Sequence, residues 1–318
     1  MPMLIGIDIG GTNLRLGVVD DAVSIESPKP RLIEEMRFQA DFSSLCKQHQ
    51  CEPTFAWQKI LSTIANAINE VRKQYPEISA IGIGFPGFID PHTQVISQSP
   101  NLPGLQDVDL SKDLTALIGL PVITENDALA AAYGEYVMHP SRLNNLIYIG
   151  LGTGVGGGLI LNGLPFQGAH GVAMEVGHIV VKDGGRLCGC GNFGCMEQYA
   201  SASGVAISYF ELAQQHCTAA EIARRAEQGD TSATSAYALA GKSLAQALAH
   251  ILKVIDVTDI VLGGGMSAAW PLIAPSFQQQ LVQDLIPALR GKLNLRISNM
   301  GDQAGIVGAA MLASHSND

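Results

Sequence analysis

Residues 4–19 read Leu4-Ile5-Gly6-Ile7-Asp8-Ile9-Gly10-Gly11-Thr12-Asn13-Leu14-Arg15-Leu16-Gly17-Val18-Val19. Two β-branched runs flank a Gly-Gly-Thr-Asn turn, the pattern of a β-hairpin. The design returns as Leu146-Ile147-Tyr148-Ile149-Gly150-Leu151, a glycine turn, and then Gly157-Gly158-Leu159-Ile160-Leu161. Gly10 aligns with Gly152 at an offset of 142 residues, close to half of the 318-residue chain. Two like hairpins half a chain apart predict a duplicated α/β unit, with a cleft between the halves.

Outward from the hairpins, strand and helix patterns alternate. Trp57, Ile60, Leu61, Ile64, Ile68 and Val71 follow helical spacing, and Pro76 ends that helix. Ala80 to Phe85 reads as a strand entering the turn Pro86-Gly87, and Val122-Ile123-Thr124 as another strand. The latter leads through Glu125-Asn126-Asp127 into an Ala-rich helix from Ala128 to Val137, which Asn126 or Asp127 would cap. Later come a helix over about Ala236 to Lys253, a strand Asp259-Ile260-Val261-Leu262, the run Gly263-Gly264-Gly265, and a last helix from about Asp302 to Ser314. Asp20 to Pro53 is polar and gives no clear element. Alternation of this kind argues for α/β layers.

Composition narrows the function. Hydrophobic residues make up 47% of the chain and charged ones 15%, so it can bury cores and is not intrinsically disordered. The net charge of −10 repels phosphate backbones and argues against nucleic acid as a main partner. The start, Met1-Pro2-Met3-Leu4-Ile5-Gly6-Ile7-Asp8, lacks the basic region of a secretory signal. The stretch from Leu143 to Met174 carries no Asp, Glu, Lys or Arg, but its glycines, Asn, Thr, Gln and Pro make a poor bilayer helix. The expectation is a soluble, cytoplasmic protein with no membrane partner.

Two glycine loops could wrap phosphate oxygens with backbone N–H groups: Asp8-Ile9-Gly10-Gly11-Thr12-Asn13 and Gly152-Thr153-Gly154-Val155-Gly156-Gly157-Gly158. Neither is followed by the Gly-Lys-Ser/Thr of a Walker loop, and each leads into a strand rather than the helix of a dinucleotide fold. Asp8 is placed to hold a hydrated Mg²⁺ beside a nucleotide's phosphates. Cys188, Cys190 and Cys195 put three thiolates within eight residues. One imidazole would complete a closed tetrahedral zinc site, and on spacing alone both His178 and His170 qualify. Asp127 follows a strand end, where ligand-facing groups of α/β sheets sit. Glu175 and Glu197 bracket the cysteine cluster.

Together these residues resemble the ROK family of sugar kinases and repressors, from Gly6 to the final helix. The match lies in Glu175-Val176-Gly177-His178, then Cys188 through Glu197, and in the glycine motifs. The resemblance implies an actin-like ATPase (ribonuclease H-like) fold of two lobes around a cleft. One lobe would be residues 1–125 with the helix 302–318 packed back on it, the other residues 126–301 with a zinc loop. It implies ATP contacts at Asp8, Gly10, Gly11, Thr12, Asn13, Gly152, Thr153, Gly154, Val155, Gly156, Gly264 and Gly265. It implies sugar contacts at Gly87, Asn101, Asn126, Asp127, Glu175, His178 and Glu197. Structural Zn²⁺ would sit on His178, Cys188, Cys190 and Cys195, which favours His178 over His170.

The activity implied is transfer of the ATP γ-phosphoryl group to the C6 hydroxyl of glucose, with Mg²⁺, and with Asp127 as general base. Kinases of N-acetylglucosamine, N-acetylmannosamine, fructose, mannose or allose share the machinery. A sugar-sensing regulator without turnover is a different class, against which Asp127 and both phosphate loops argue. The family also implies a homodimer. Met174 departs from the pattern, which usually has Gly before the residue equivalent to Glu175.

Overall fold

The structure is a computed structural model, and it describes residues 3–10, 13–22, 29–99, 101–141 and 143–314. The chain opens with strands β1 (Met3–Ile9), β2 (Asn13–Asp20) and β3 (Arg31–Gln39), then helices α1 (Phe42–Gln48) and α2 (Pro53–Arg72). Strands β4 (Ile78–Phe85), β5 (Phe88–Ile89), β6 (Ile96–Gln98) and β7 (Gln106–Val108) precede helix α3 (Leu110–Ile118). Next come β8 (Val122–Asn126), α4 (Asp127–Val137), β9 (Leu146–Leu151), β10 (Val155–Leu161) and β11 (Leu164–Pro165). Five helices follow: α5 (Glu197–Ala200), α6 (Ala202–Ala213), α7 (Ala219–Glu227), α8 (Thr231–Ile255) and, after β12 (Asp259–Gly263), α9 (Trp270–Asp284). Strand β13 (Asn294–Ile297) and helix α10 (Gln303–Ser314) complete the order.

The chain divides into two units. One comprises Met1–Asn144, Gly158–Ala173 and Asp302–Asp318, the other Asn145–Gly157 and Met174–Gly301. The first holds the sheet β3-β2-β1-β4-β8, with β1, β2 and β3 antiparallel and β4 and β8 parallel to β1. The second sheet has the order β11-β10-β9-β12-β13, with β12 parallel to both β9 and β13. Both orders place a hairpin's later strands first, then its opening strand, then two later strands. That shared order is the duplication the two hairpins foretold.

In the first unit, α2 buries Trp57, Ile60, Ile64, Ile68 and Val71 at helical spacing, in one core cluster with Ile5, Ile7, Leu14, Leu16, Ile81 and Ile83. Helix α10 lies on β1, β4 and α4. The approach is backbone to backbone, because a Cβ at Gly6 would strike the Ile306 carbonyl and one at Gly82 the Ala309 carbonyl. In the second unit, α8 packs against α5, α6, α7 and α9. By length and composition α8 could cross a membrane, yet 56% of its most apolar window is buried within the fold.

The unassigned stretch after Asp20 holds β3 and α1. Strand β3 is the sheet edge, and its Arg31, Glu34, Glu35 and Arg37 hide the alternation a half-buried strand normally shows.

Candidate active site

In the first unit the site begins where β1 ends. Gly10 N–H donates to the Asn13 carbonyl at 3.0 Å, closing the turn; Gly11 and Thr12 lie outside the described residues. Asp8 faces Arg15 across the hairpin, and Arg15 Nη1 donates to Asp8 Oδ2 at 3.1 Å. Burial pushes the Asp8 carboxyl above its usual range, partly offset by the Arg15 charge. A carboxylate is the kind of hard oxygen donor that Mg²⁺ takes.

Strand β8 delivers the second group. Asn126 is the N-cap of α4: its Oδ1 accepts from Ala128 N at 3.0 Å and from Leu129 N at 3.1 Å. Its Nδ2 donates to the Gly87 carbonyl at 3.2 Å, which brings those two expected sugar contacts together. Asp127 is the first residue of α4, and its Oδ1 accepts from Ala128 N at 2.8 Å. A carboxylate there meets the positive end of the helix. Asn101 lies in an exposed turn, two residues after Ser99, whose hydroxyl donates to the Pro86 carbonyl.

Sequence reasoning passed over what supports this group. Glu125 is 6% exposed and makes no ion pair among the described residues; its Oε2 accepts from Gln167 Nε2 at 2.5 Å and its Oε1 from Asn126 N at 2.8 Å. Burial pushes the Glu125 carboxyl up to about 7, against the pull of those two hydrogen bonds. Gln94, at φ 61°, accepts from Thr124 N at 3.2 Å and so pins β8. Glu125 is the one charged residue of the strand Val122–Asn126, whereas no local signal marks Gln167 or Gln94.

In the second unit the glycine turn joins β9 to β10, closed by Gly152 N–H donating to the Gly154 carbonyl at 2.9 Å. Glu197 Oε2 accepts from Val155 N at 2.9 Å, Ser203 Oγ donates to the Thr153 carbonyl at 3.0 Å, and Gly156 continues β10. Gly264 has φ +78°, and a side chain there would collide with the Leu151 backbone. The Gly264-Gly265 segment therefore sits beside the second loop, helped by the Gly263–Gly150 register of β12 and β9.

Glu175 (φ −67°, ψ 55°) is the centre of an inverse γ-turn in which Val176 N donates to the Met174 carbonyl at 2.6 Å. Its Oε2 lies 3.7 Å from His178 Nε2. Burial pushes the Glu175 carboxyl up, His178 pulls it down, and Glu197 adds a smaller upward push. Met174 sits at φ +64°, in the left-handed region that accounts for a glycine being usual there.

His178, Cys188, Cys190 and Cys195 offer ligand atoms all within 4.8 Å of one another. His178 Nδ1 is 3.5 Å from Cys188 Sγ, and Cys190 Sγ is 3.6 Å from Cys195 Sγ. Tetrahedral Zn²⁺ with Zn–S of about 2.3 Å and Zn–N of about 2.0 Å needs ligand separations of roughly 3.5–3.8 Å. The donor set fits zinc, with His178 and not the exposed His170 as the imidazole. Asn192 N–H draws the Cys190 thiol down, whereas burial pushes the Cys195 thiol up to about 12. With Nδ1 toward the sulfurs, His178 presents Nε2 to Glu175, an imidazole held between a metal site and a carboxylate. Arg186 anchors the loop: it donates to the Gln198 and Gly204 carbonyls, to Ser208 Oγ and to both Glu211 oxygens, and lies 4.6 Å over the Tyr199 ring.

The ROK family model matches residues 4–316. A glucokinase from Streptomyces coelicolor is 32% identical over 332 residues, covering 98% of each chain. An N-acetyl-D-glucosamine kinase from Citrobacter koseri is 30% identical, covering 98% of this chain and 99% of its own. Among solved structures, a ROK hexokinase from Thermus thermophilus superposes with TM-score 0.80 at 28% identity, covering 99% of each chain. A ROK family glucokinase from Streptomyces griseus, in complex with glucose and AMPPNP, gives TM-score 0.77 at 30% identity, covering 98% of this chain and 99% of its own. The fold is the actin-like ATPase fold of these kinases.

Proposed function

This chain belongs to the ROK family, and from that premise we propose that it is an ATP-dependent sugar kinase acting on the C6 hydroxyl of glucose, with Asp127 as general base. Kinase relatives that cover nearly the whole chain support the coarser part of this reading. Glucose is favoured by the glucokinase relatives and by the Streptomyces griseus kinase that holds glucose and AMPPNP. One observation carries the base. Asn126 accepts from two N–H groups at the start of α4 and so does the work of the cap, while Asp127 follows it at the carboxyl end of β8. A kinase of N-acetylglucosamine is the second reading, favoured by the relative at 30% identity.

In this reading Asp127 accepts the proton of the attacking hydroxyl, while Asn126, fixed to the Gly87 carbonyl, orients the sugar. The backbone N–H groups of the two glycine turns receive the phosphates. Phosphoryl transfer passes through a loose transition state, so positioning and charge neutralisation are the protein's main contributions. Mg²⁺ supplies part of that neutralisation when bound, and Asp8 is the carboxylate that would hold it through water. We assign one Zn²⁺ to His178, Cys188, Cys190 and Cys195, where it cross-links the loop between Glu175 and Glu197. His178 then turns Nε2 to Glu175 and the sugar. The enzyme is taken to work in the cytoplasm as a homodimer, which sedimentation velocity reads.

The test is release of ADP from Mg²⁺·ATP with a panel of free sugars: glucose, mannose, fructose, allose, N-acetylglucosamine and N-acetylmannosamine. Glucose should give the highest kcat/KM. A higher value for an N-acetyl sugar moves the assignment to the second reading. Sugar binding without ADP release from any of them would make the chain a sensor.

A further inference from the structure

The charges around the first glycine turn form a chain of pairs. Arg15 Nη1 lies 3.1 Å from Asp8 Oδ2 and 3.0 Å from Asp302 Oδ1, so one guanidinium nitrogen serves two carboxylates. Asp302 immediately precedes α10. In the first turn of that helix Gly305 leaves room for Asp8, since a Cβ there would stand 3.3 Å from the Asp8 Cγ. The other Asp302 oxygen faces Arg37 Nη2 at 3.6 Å, and Arg37 also meets Glu35 at 3.2 Å. Arg15 Nε is buried with no hydrogen-bond acceptor among the described residues.

A guanidinium binds a carboxylate best through two parallel N–H bonds. Here it makes a single contact to each of two carboxylates and leaves a third donor without an acceptor, so neither pairing is as strong as it can be. Asp8 and Asp302 also differ in setting: their side chains are 17% and 44% exposed. Leaving the more buried carboxylate without any cation would be costly, whereas the more exposed one keeps water and Arg37.

We propose that Arg15 is a stand-in cation on the Asp8 oxygen used by the nucleotide's divalent metal, and that Asp302 is the positioning residue that receives Arg15 when the metal arrives. The proposal rests on the reading of Asp8 as a cation-binding carboxylate. It makes the entry of the metal an exchange of one cation for another, so the carboxylate is never left bare. It also assigns the start of α10 a part in nucleotide binding through Arg15, without contact to the nucleotide.

The experiment is a titration of Mn²⁺, followed by electron paramagnetic resonance, with the protein saturated by AMPPNP. Affinity for AMPPNP in EDTA serves as the control. Asp302→Asn leaves Arg15 to Asp8 alone and should weaken Mn²⁺ binding about three- to tenfold. Arg15→Gln removes the competitor and should tighten it. In the Arg15→Gln background, Asp302→Asn should change it by less than about twofold, because the two residues act as a unit. An equal effect of Asp302→Asn in both backgrounds would show that its charge acts alone, and would overturn the proposal. Weaker Mn²⁺ binding in Arg15→Gln would make Arg15 a phosphate ligand, with the same result. Should Arg15→Gln melt far below the parent, Arg15→Met replaces it, since it keeps an unbranched apolar stem and carries no cation. Failure of the unmutated protein to bind Mn²⁺ with AMPPNP would instead refute the cation-site reading itself.

Discussion

Glu197 accepts a hydrogen bond from the backbone N–H of Val155 at 2.9 Å, so the second glycine turn is fixed by a residue two positions after Cys195. Val155 is 7% exposed. Glu197→Ala leaves its N–H without that acceptor, at a cost of about 1–3 kcal/mol. We expect a lower melting temperature and a several-fold higher KM for ATP. A variant with unchanged melting and unchanged KM would show that the turn holds its shape without Glu197.

Asp127→Asn separates base from cap. General-base assistance contributes about 10²–10⁴-fold, so kcat should fall by that factor, roughly 3–5 kcal/mol in the barrier. Asn126 retains its two N–H partners, so unfolding free energy should stay within about 0.5 kcal/mol of the parent. Glucose affinity should survive within about tenfold, since the amide still hydrogen-bonds. A fall in kcat below about fivefold removes Asp127 from the role.

Metal analysis of protein purified without chelator should find about one Zn²⁺ per chain. Cys190→Ser should release it. Because the same loop ends at Glu197, the loss should raise the KM for ATP as well as for sugar, an effect that zinc bound elsewhere would not produce.

Glu125 gives a pH dependence of known sign. Its carboxyl rises from 4.5 in the unfolded chain to about 7 in the fold, through burial. Its contribution is therefore complete below about pH 4.5 and is lost as the pH rises through 7, amounting to roughly 3 kcal/mol as an upper figure. Glu125→Gln should be the more stable protein at pH 8, with the difference vanishing near pH 4. Urea unfolding of both proteins across that range reads it, and parallel curves would mean that Glu125 ionises without cost.

Met174 holds φ +64°, which costs a residue with a Cβ about 1–2 kcal/mol. Met174→Gly should therefore raise stability by about 1 kcal/mol, less whatever the side chain's packing contributes. The sugar panel run on this variant shows whether the thioether bears on the choice between glucose and N-acetyl sugars.

The sequence reveals most where the signal is local. The β-branched runs around the glycine turns at Gly10 and Gly152 mark β1, β2, β9 and β10, and the apolar spacing from Trp57 to Val71 marks α2. The cysteine spacing is local as well, and the structure brings Cys188, Cys190 and Cys195 to His178. What stays hidden depends on distance along the chain. Arg15 meets Asp302, and Glu125 meets Gln167, across stretches that no periodicity spans. Strand β3 is hidden for another reason: an edge strand protects itself with charges, which erase the alternation used to find it. Capping is ambiguous when Asn126 and Asp127 stand side by side, because both types serve equally well; only the two N–H groups on Asn126 Oδ1 decide it.

The close seat of α10 on Gly6 and Gly82 also sets an order of events during synthesis. The first sheet is translated early, yet the helix that covers β1 and β4 is made only when residues 303–314 emerge. The second unit, with Asn145–Gly157 and Met174–Gly301, can be complete before that. The half of the chain made first is thus finished last, and until then exposes the apolar face of β1 and β4 to chaperones and to other nascent chains.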